Sequence, residues 1–254
     1  MTDQQFWFLI AATTFTTSIV SGVLGMAGGM LLLSILLVRL DPVIAVPIHG
    51  CVQLVSNGSR AWILRKEVNW RAVLRFAWPL LPAGLLGMLC LKWTPAAWGR
   101  ILIGAFVLAA TWLKPVRPKQ ATSDSALQGR RLLPLGGAVV GFFSTLVGAT
   151  GPLLGPFILA LDLGPRATIG TMAACQIFQH GSKVLLFGLG DFDFGAYAGW
   201  IALLASLAVV GTKVGTRFLD RLKPTPFKIA VRVVLSLLSL QLLYSGFSQL
   251  GARG

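Results

Sequence analysis

The sequence contains one module twice, and this duplication limits the possible folds more than any other feature does. The first copy runs from Gly25 to Arg60, and the second runs from Gly148 to Lys183, 123 positions later and without a gap. A repeat at a fixed offset predicts two homologous structural units. About 10 positions of the module are identical, and in the first copy these are Gly25, Gly28, Leu31, Ile35, Leu36, Leu40, Pro42, Gln53, Gly58 and Ser59.

Composition indicates that these units lie in a membrane. The 254 residues are 55% hydrophobic and 12% charged, whereas soluble domains carry about 25% charged residues. The net charge is +14, but the basic residues lie between apolar runs, as the positive-inside rule expects of a membrane protein. We therefore predict an all-α polytopic membrane protein whose partner is the lipid bilayer, with no nucleic-acid partner.

The apolar runs divide the chain into two membrane repeats, residues 1–113 and 132–254. A polar, basic segment with several prolines, residues 114–131, is predicted to be a cytoplasmic linker between them. Each half has a first span, a Gly-rich break, a short apolar segment, a long helix that begins at a proline, and two further spans. In the first half, residues 76–91 are expected to form one continuous span.

Loop charges predict that the two halves are inverted relative to each other. The loop containing Arg65, Lys66 and Arg71 is basic, whereas its counterpart in the second half carries Asp191 and Asp193. Equivalent loops with opposite charge indicate inverted repeats, with five segments per half and both termini outside. The alternative is eight spans, in which each short segment is fused to its predecessor as a Gly-broken helix. The sequence thus predicts eight to ten membrane segments.

The two Gly-rich breaks allow two interpretations. A break exposes backbone N–H groups at the start of the next half-helix, where an anion is favoured. Paired breaks at matching places in two halves also point to a binding site near the middle of the membrane. The alternative is close helix crossing, because glycine lets two backbones approach each other.

Beside the breaks runs a polar stripe. His49, Gln53, Asn57 and Arg60 share one face of the first long helix, and their counterparts are Met172, Gln176, His180 and Lys183. Such residues face lipid only at high cost, so we expect them inside the helix bundle. The alternatives are that the two cations extend to the membrane surface and that His49 is a hydrogen-bonded packing residue. A histidine could also carry a coupling proton.

Two cations, several hydrogen-bond donors and two half-helix N-termini together predict a site for a small anion. No Asp or Glu lies in the middle of any span, which argues against transport of a metal cation or sodium. We expect the anion between the repeats at the midplane, with the halves rocking around it. The predicted substrate-binding residues are Gly25, Gly28, Gly29, Gln53, Asn57, Arg60, Gly148, Thr150, Gly151, Gln176, His180 and Lys183.

We predict no catalytic residue, no cofactor and no metal site. The three cysteines lie in apolar runs and form no Cys-x-x-Cys pair. One alternative is an intramembrane enzyme acting on an anionic lipid, with His49 or His180 as the base and Arg60 or Lys183 holding the anion. Another is a helper subunit that has no substrate of its own. A homo-oligomer is left open.

The chain resembles the sulfite exporter TauE/SafE family of membrane permeases. The resemblance covers nearly the whole chain and rests on three features: the Gly-rich openings SGVLGMAGG and STLVGATG, the Asp-Pro or Gly-Pro turn, and the downstream Gln…Gly-Ser-basic pattern. It implies a multi-pass transporter of the bacterial cytoplasmic (inner) membrane for a small sulfur-containing anion such as sulfite or an organosulfonate. Some relatives are linked to small carboxylates instead. The second opening carries Pro152 where the first has Gly29, so we expect an asymmetric site.

Overall fold

A computed structural model describes residues 3–24, 27–112, 123–218 and 224–251 of the chain, and all regular structure in these ranges is helical. Two short 3-10 turns, Arg65–Glu67 and Gly195–Tyr197, precede α4 and α10. The α-helices are α1 (Asp3–Leu24), α2 (Ala27–Leu36), α3 (Pro42–Ile63), α4 (Trp70–Ala77), α5 (Leu80–Trp93), α6 (Ala96–Trp112), α7 (Ser123–Leu146), α8 (Gly151–Leu159), α9 (Pro165–Leu189), α10 (Ala198–Phe218) and α11 (Pro224–Gly251).

The helices α1 and α2 form an antiparallel hairpin, which we call the first hairpin. The guanidinium carbon of Arg39, just beyond α2, lies 5.3 Å from the centre of the Phe6 ring near the start of α1. At the closed end, a Cβ placed on Gly28 would meet the Thr17 carbonyl oxygen and would lie 2.6 Å from the Ser21 Cβ. The small residues thus let α2 pack directly on the α1 backbone.

The helices α7 and α8 form the second hairpin. A Cβ on Gly136 of α7 would lie 2.7 Å from Cγ of Phe157 in α8. In one continuous helix these two residues would be about 30 Å apart, so the chain must turn back between them. The short segments are therefore the returning arms of hairpins, which the alternative of a fused, broken helix does not describe.

The long helices α3 and α9 pack against each other and against both hairpins. Each begins at a proline, Pro42 or Pro165, where the missing N–H costs nothing. Around them, α1 packs on α10 and α7 packs on α5, while α6 packs on α11. When the halves are swapped, the α1–α10 and α7–α5 pairings exchange places and the α6–α11 pairing maps onto itself. The duplicated sequence leads one to expect this correspondence. The inverted orientation of the halves in a bilayer remains a prediction.

Two segments differ from the sequence-based expectation. The predicted continuous span over residues 76–91 is interrupted, because α4 and α5 meet at Pro79 with a bend of 42°. Proline cannot donate the backbone hydrogen bond that a continuous helix needs at this position. The predicted linker 114–131 is partly helical, since α7 begins at Ser123. Residues 113–122 lie outside the described residues.

Length and hydropathy alone identify few membrane spans among the described residues. One helical stretch, Gly195–Arg217, is long and apolar enough to cross a membrane, with 23 residues. If α4 and α5 are counted together as one broken span, this bent pair is also long and apolar enough. Helix α6 is apolar but shorter. The eight to ten membrane segments therefore remain a prediction.

The turn between α7 and α8 generates a first test. Gly148 has a φ of +85°, and a Cβ there would lie 2.6 Å from Cδ2 of Leu33. A left-handed non-glycine residue costs on the order of 1–3 kcal/mol. We therefore expect Gly148→Ala to lower the melting temperature of the purified protein by several degrees.

Gly199→Ala is the matched control, because no atom lies within 4 Å of a Cβ at this helical position. Alanine is a better helix former than glycine by about 1 kcal/mol, so this variant should melt at the same temperature as the wild type or slightly above it. Equal melting temperatures for Gly148→Ala and the wild type would contradict the constrained turn.

Candidate functional site

A small cavity lies where the closed ends of the two hairpins meet the middle of α3 and α9. Its volume is about 10 Å³, roughly the room that one water molecule needs. Each of the two hairpins and each of the two long helices contributes to the wall. The lining residues are Ser21, Gly29, Met30, His49, Gln53, Asn57, Ala149, Thr150, Gly151, Gln176 and His180.

Most of the predicted substrate-binding residues converge on this cavity. Those that line it are Gly29, Gln53, Asn57, Thr150, Gly151, Gln176 and His180. His49, predicted either as a packing residue or as a proton carrier, lines it as well. Gly25 lies outside the described residues. The predicted residues that are described but do not line the cavity are Gly28, Arg60, Gly148 and Lys183.

Lys183 lies immediately behind the cavity wall. Its side chain is fully buried, so the alternative that it extends to the membrane surface is wrong. Its Nζ donates to the Gly148 carbonyl at 2.5 Å and to Nδ1 of His180 at 3.4 Å. Gly50 of α3 makes room for its aliphatic stem, because a Cβ there would lie 3.0 Å from the Lys183 Cδ. Lys183 thus joins α9 to the turn of the second hairpin.

The contact with Lys183 fixes the hydrogen-bonding role of His180. An amine can donate to a neutral imidazole nitrogen only if that nitrogen carries no proton. With Lys183 as the charged donor, Nδ1 of His180 accepts and the imidazole proton resides on Nε2. Because His180 lines the cavity, its imidazole offers a hydrogen-bond donor beside it.

Arg60 occupies the equivalent place in the first half. It is 1% exposed, so it does not reach the membrane surface either. Its guanidinium donates to the Ser21 hydroxyl at 2.8 Å and to Oδ1 of Asn57 at 3.4 Å. Asn57 and His180 are counterparts in the duplicated module, and each lines the cavity with a cation three residues further along its helix. The two cations thus form a second layer around the cavity.

The two histidines meet across the boundary between the halves. Their ring centres are 5.6 Å apart in an edge-to-face arrangement. Nε2 of His49 lies 3.0 Å from the Gly29 carbonyl oxygen and must be the donor, because a carbonyl only accepts. Two buried lining atoms, Nδ1 of His49 and Oε1 of Gln176, have no hydrogen-bond partner among the described residues. Both atoms are hydrogen-bond acceptors in this arrangement, so the group that would satisfy them is a donor such as a water molecule, for which the cavity has room.

Gln179 is a polar residue of this region that the sequence-based prediction missed. Its amide Nε2 donates to the Ser144 hydroxyl at 3.2 Å and to the Thr150 hydroxyl at 2.9 Å. It therefore holds the two arms of the second hairpin and leaves the Thr150 hydroxyl hydrogen able to donate elsewhere. The signal in the sequence was its place three residues after Gln176, but its counterpart in the first half is Ser56, so the repeat did not mark it.

The described carboxylates form no ion pair with Lys183 beside the cavity. The ion pairs between described residues are Arg100–Asp41 and Arg166–Glu67, and neither involves Lys183. Within the same part of the chain, no group of three or more His, Cys, Asp or Glu side chains could hold a metal ion. Amide, imidazole and hydroxyl groups backed by cations are suited to bind a small anion.

Comparison with known proteins identifies one family. The sequence model described as "Sulfite exporter TauE/SafE" matches residues 10–242 of the chain, which covers most of the first hairpin, the second hairpin, both long helices and the cavity. No curated protein and no solved structure shows significant similarity to the chain.

The contacts of Gln179 give a test of how the second hairpin is held. Replacing Gln179 with leucine removes two hydrogen bonds and leaves the buried hydroxyls of Ser144 and Thr150 without this donor. The folded state should lose about 1–3 kcal/mol of stability. We expect a melting temperature several degrees below that of the wild type. Gln241→Leu is the matched control, because Gln241 is exposed on α11, and it should leave the melting temperature unchanged. Equal melting of the two variants would contradict the role of Gln179.

Proposed function

Because the chain belongs to the sulfite exporter TauE/SafE family, we propose that it transports a small sulfur-containing anion, such as sulfite or an organosulfonate, across the bacterial cytoplasmic membrane. The family is one of membrane transporters, which agrees with the apolar, all-helical chain. The multi-pass arrangement, the sulfur-containing substrate and the binding site in the central cavity are parts of the proposal.

The observation that carries the proposal is the burial of Lys183 behind the cavity. A buried cation costs several kcal/mol unless a negative charge compensates it. The described ion pairs leave Lys183 without a carboxylate, and its contacts are a carbonyl and an imidazole. An anion in the cavity would supply the missing charge one layer away, through His180. The family and the charge therefore favour the same class of substrate.

The arrangement of donors favours an oxyanion over chloride. His180, Thr150, Gln53 and Gln176 all line the cavity, and they supply an imidazole, a hydroxyl and two amides from α3, the second hairpin and α9. A pyramidal or tetrahedral oxyanion accepts several directed hydrogen bonds at once, whereas a spherical halide gains less from fixed directions. Because a sulfite or sulfonate group has three oxygens, it could use most of these donors together.

The size of the cavity favours a transport cycle in which the site opens. About 10 Å³ holds one water molecule but not an ion of four or more heavy atoms. The hairpin ends must therefore separate from α3 and α9 for the substrate to enter. In our proposal, the two halves rock against each other around the site and open it to one side of the membrane at a time.

We also propose that the protein is not an enzyme and uses no cofactor. Of the histidines that could serve as a base, His180 is hydrogen-bonded through Nδ1 to Lys183, and His49 donates from Nε2 to a carbonyl while its Nδ1 has no described partner. No described carboxylate is hydrogen-bonded to either ring, so the usual acidic group that orients a catalytic histidine is missing from the described contacts.

Anion binding can be tested by thermal unfolding of the purified protein. Sulfite, sulfate, thiosulfate, sulfoacetate, taurine, acetate and chloride are compared at constant ionic strength. A ligand present at 100 times its dissociation constant should stabilise the folded state by roughly 2.7 kcal/mol. We expect one sulfur oxyanion or sulfonate to raise the melting temperature, and Gln176→Leu and Lys183→Met each to abolish the increase.

Lys92→Met removes the same charge from an exposed position at the end of α5 and should keep the increase. If acetate alone stabilises the protein, the substrate is a carboxylate. If no anion does, or if all variants respond alike, the cavity is not the anion site. Uptake of the stabilising anion into proteoliposomes then separates a transporter from a protein that only binds the anion.

A further inference from the structure

We propose that Arg71, Arg75 and Arg130 bind the phosphate group of an anionic phospholipid at the membrane surface, apart from the central cavity. The three arginines line a pocket of about 230 Å³ between α4 and α7, together with Asn69, Ala72 and Leu133. The inference requires that the chain lies in a membrane, as its family does, but it does not depend on which anion is transported.

The pocket concentrates positive charge that the described part of the protein does not neutralise. Arg71 and Arg75 are four residues apart on α4 and so share a face, while Arg130 reaches the pocket from α7. All three are exposed, and none makes a side-chain hydrogen bond or ion pair with another described residue. Like charges held this close repel one another, so a bound anion would stabilise the cluster. Guanidinium groups match phosphate oxygens with paired, parallel hydrogen bonds.

The wall of the pocket is held in place by polar contacts of Asn69. Its side chain accepts a hydrogen bond from the Ala72 backbone N–H at 3.1 Å and so caps α4. Its own backbone N–H donates to the Thr171 hydroxyl of α9 at 3.0 Å. The start of α4 is therefore fixed to a central helix, so the backbone position of Arg71 is set before a ligand binds.

The surroundings of the pocket indicate a lipid rather than a soluble anion. Trp70, Leu74 and Trp78, on and directly after α4, are 49%, 60% and 68% exposed. Tryptophan is enriched at the level of the lipid headgroups, so these side chains place α4 at the membrane surface. The loop before α4 is basic and predicted to be cytoplasmic, and the cytoplasmic leaflet is the one whose anionic lipids attract such segments.

The other half of the molecule provides an internal comparison. At the same offset of 123 positions, the counterparts of Arg71, Arg75 and Arg130 are Phe194, Ala198 and Trp7. Trp7 stacks on Trp200 with ring centres 4.9 Å apart, so aromatic packing occupies the place that the arginines occupy in the first half. The fold therefore does not require cations here, so the three arginines are available to a ligand on that surface.

The test is lipid binding to the purified full-length chain, measured by native mass spectrometry with phosphatidylglycerol and phosphatidylcholine of identical acyl chains. Arg71, Arg75 and Arg130 are replaced together by glutamine. Each arginine near a lipid surface contributes roughly a fivefold change in affinity. We expect the wild type to prefer phosphatidylglycerol at least tenfold and the triple variant to lose this preference.

The matched control replaces three other cations of the same two basic segments, Arg65, Lys66 and Arg131, by glutamine. It loses the same charge and should keep the preference within threefold. An equal loss in both triple variants would overturn the proposal in favour of diffuse attraction to the surface. A second result would also overturn the proposal: the protein binds inorganic phosphate in calorimetry, and Arg130→Gln abolishes this binding but leaves lipid binding unchanged.

The melting temperature of each variant shows whether it is folded. If the triple glutamine variant unfolds, a variant in which all three arginines are replaced by lysine is used for the lipid-binding test instead. It retains the charge but not the paired hydrogen bonds. We expect it to keep a preference for phosphatidylglycerol that is weaker than that of the wild type. An unchanged preference would show that the geometry of the pocket has no role.

Discussion

The structure depends on one requirement: backbone groups that a chain reversal leaves open inside a bilayer must find partners within the protein. In the proposed membrane placement, the turn of the second hairpin meets this requirement through Lys183 of α9, which donates to the Gly148 carbonyl. In the first half, His49 of α3 donates to the Gly29 carbonyl near the start of α2 and so ties the first hairpin to its long helix. The polar stripes of α3 and α9 therefore hold the hairpins and form the cavity at the same time. A change in the stripe must alter both.

The position of the two cations is suited to a site that has to release its ligand. Arg60 and Lys183 do not line the cavity but lie behind Asn57 and His180. A direct ion pair in a buried place is difficult to break, because separation leaves an uncompensated charge buried in the protein. A cation that acts through an intervening amide or imidazole still attracts the anion but lets polar, neutral groups make the contact. Binding can then be selective without being too strong for transport.

The sequence predicted the helical class, the proline starts of α3 and α9, and most of the residues that meet at the cavity, because duplication marked them and helical spacing put them on one face. It did not predict the contact of Gln179 with Ser144 and Thr150, since no repeat partner marks this position. Nor did it predict that Arg71 and Arg130, which are far apart in the chain, line the same pocket. Both depend on tertiary packing that neither spacing nor composition specifies. The bend at Pro79 could have been predicted from the sequence, because proline removes a helical hydrogen bond.

The differences between the halves carry as much information as their similarity. An exact duplication would give the cavity two identical walls. Instead, His49 corresponds to Met172, Asn57 to His180, and Arg60 to Lys183. The cavity is thus lined by Asn57, backed by the Arg60 guanidinium, on one side and by His180, backed by the Lys183 amine, on the other. A ligand bound between such unlike walls has one preferred orientation. If the halves open in turn, the energy of exposing the ligand to the two sides of the membrane also differs, which is what a transporter with a preferred direction requires.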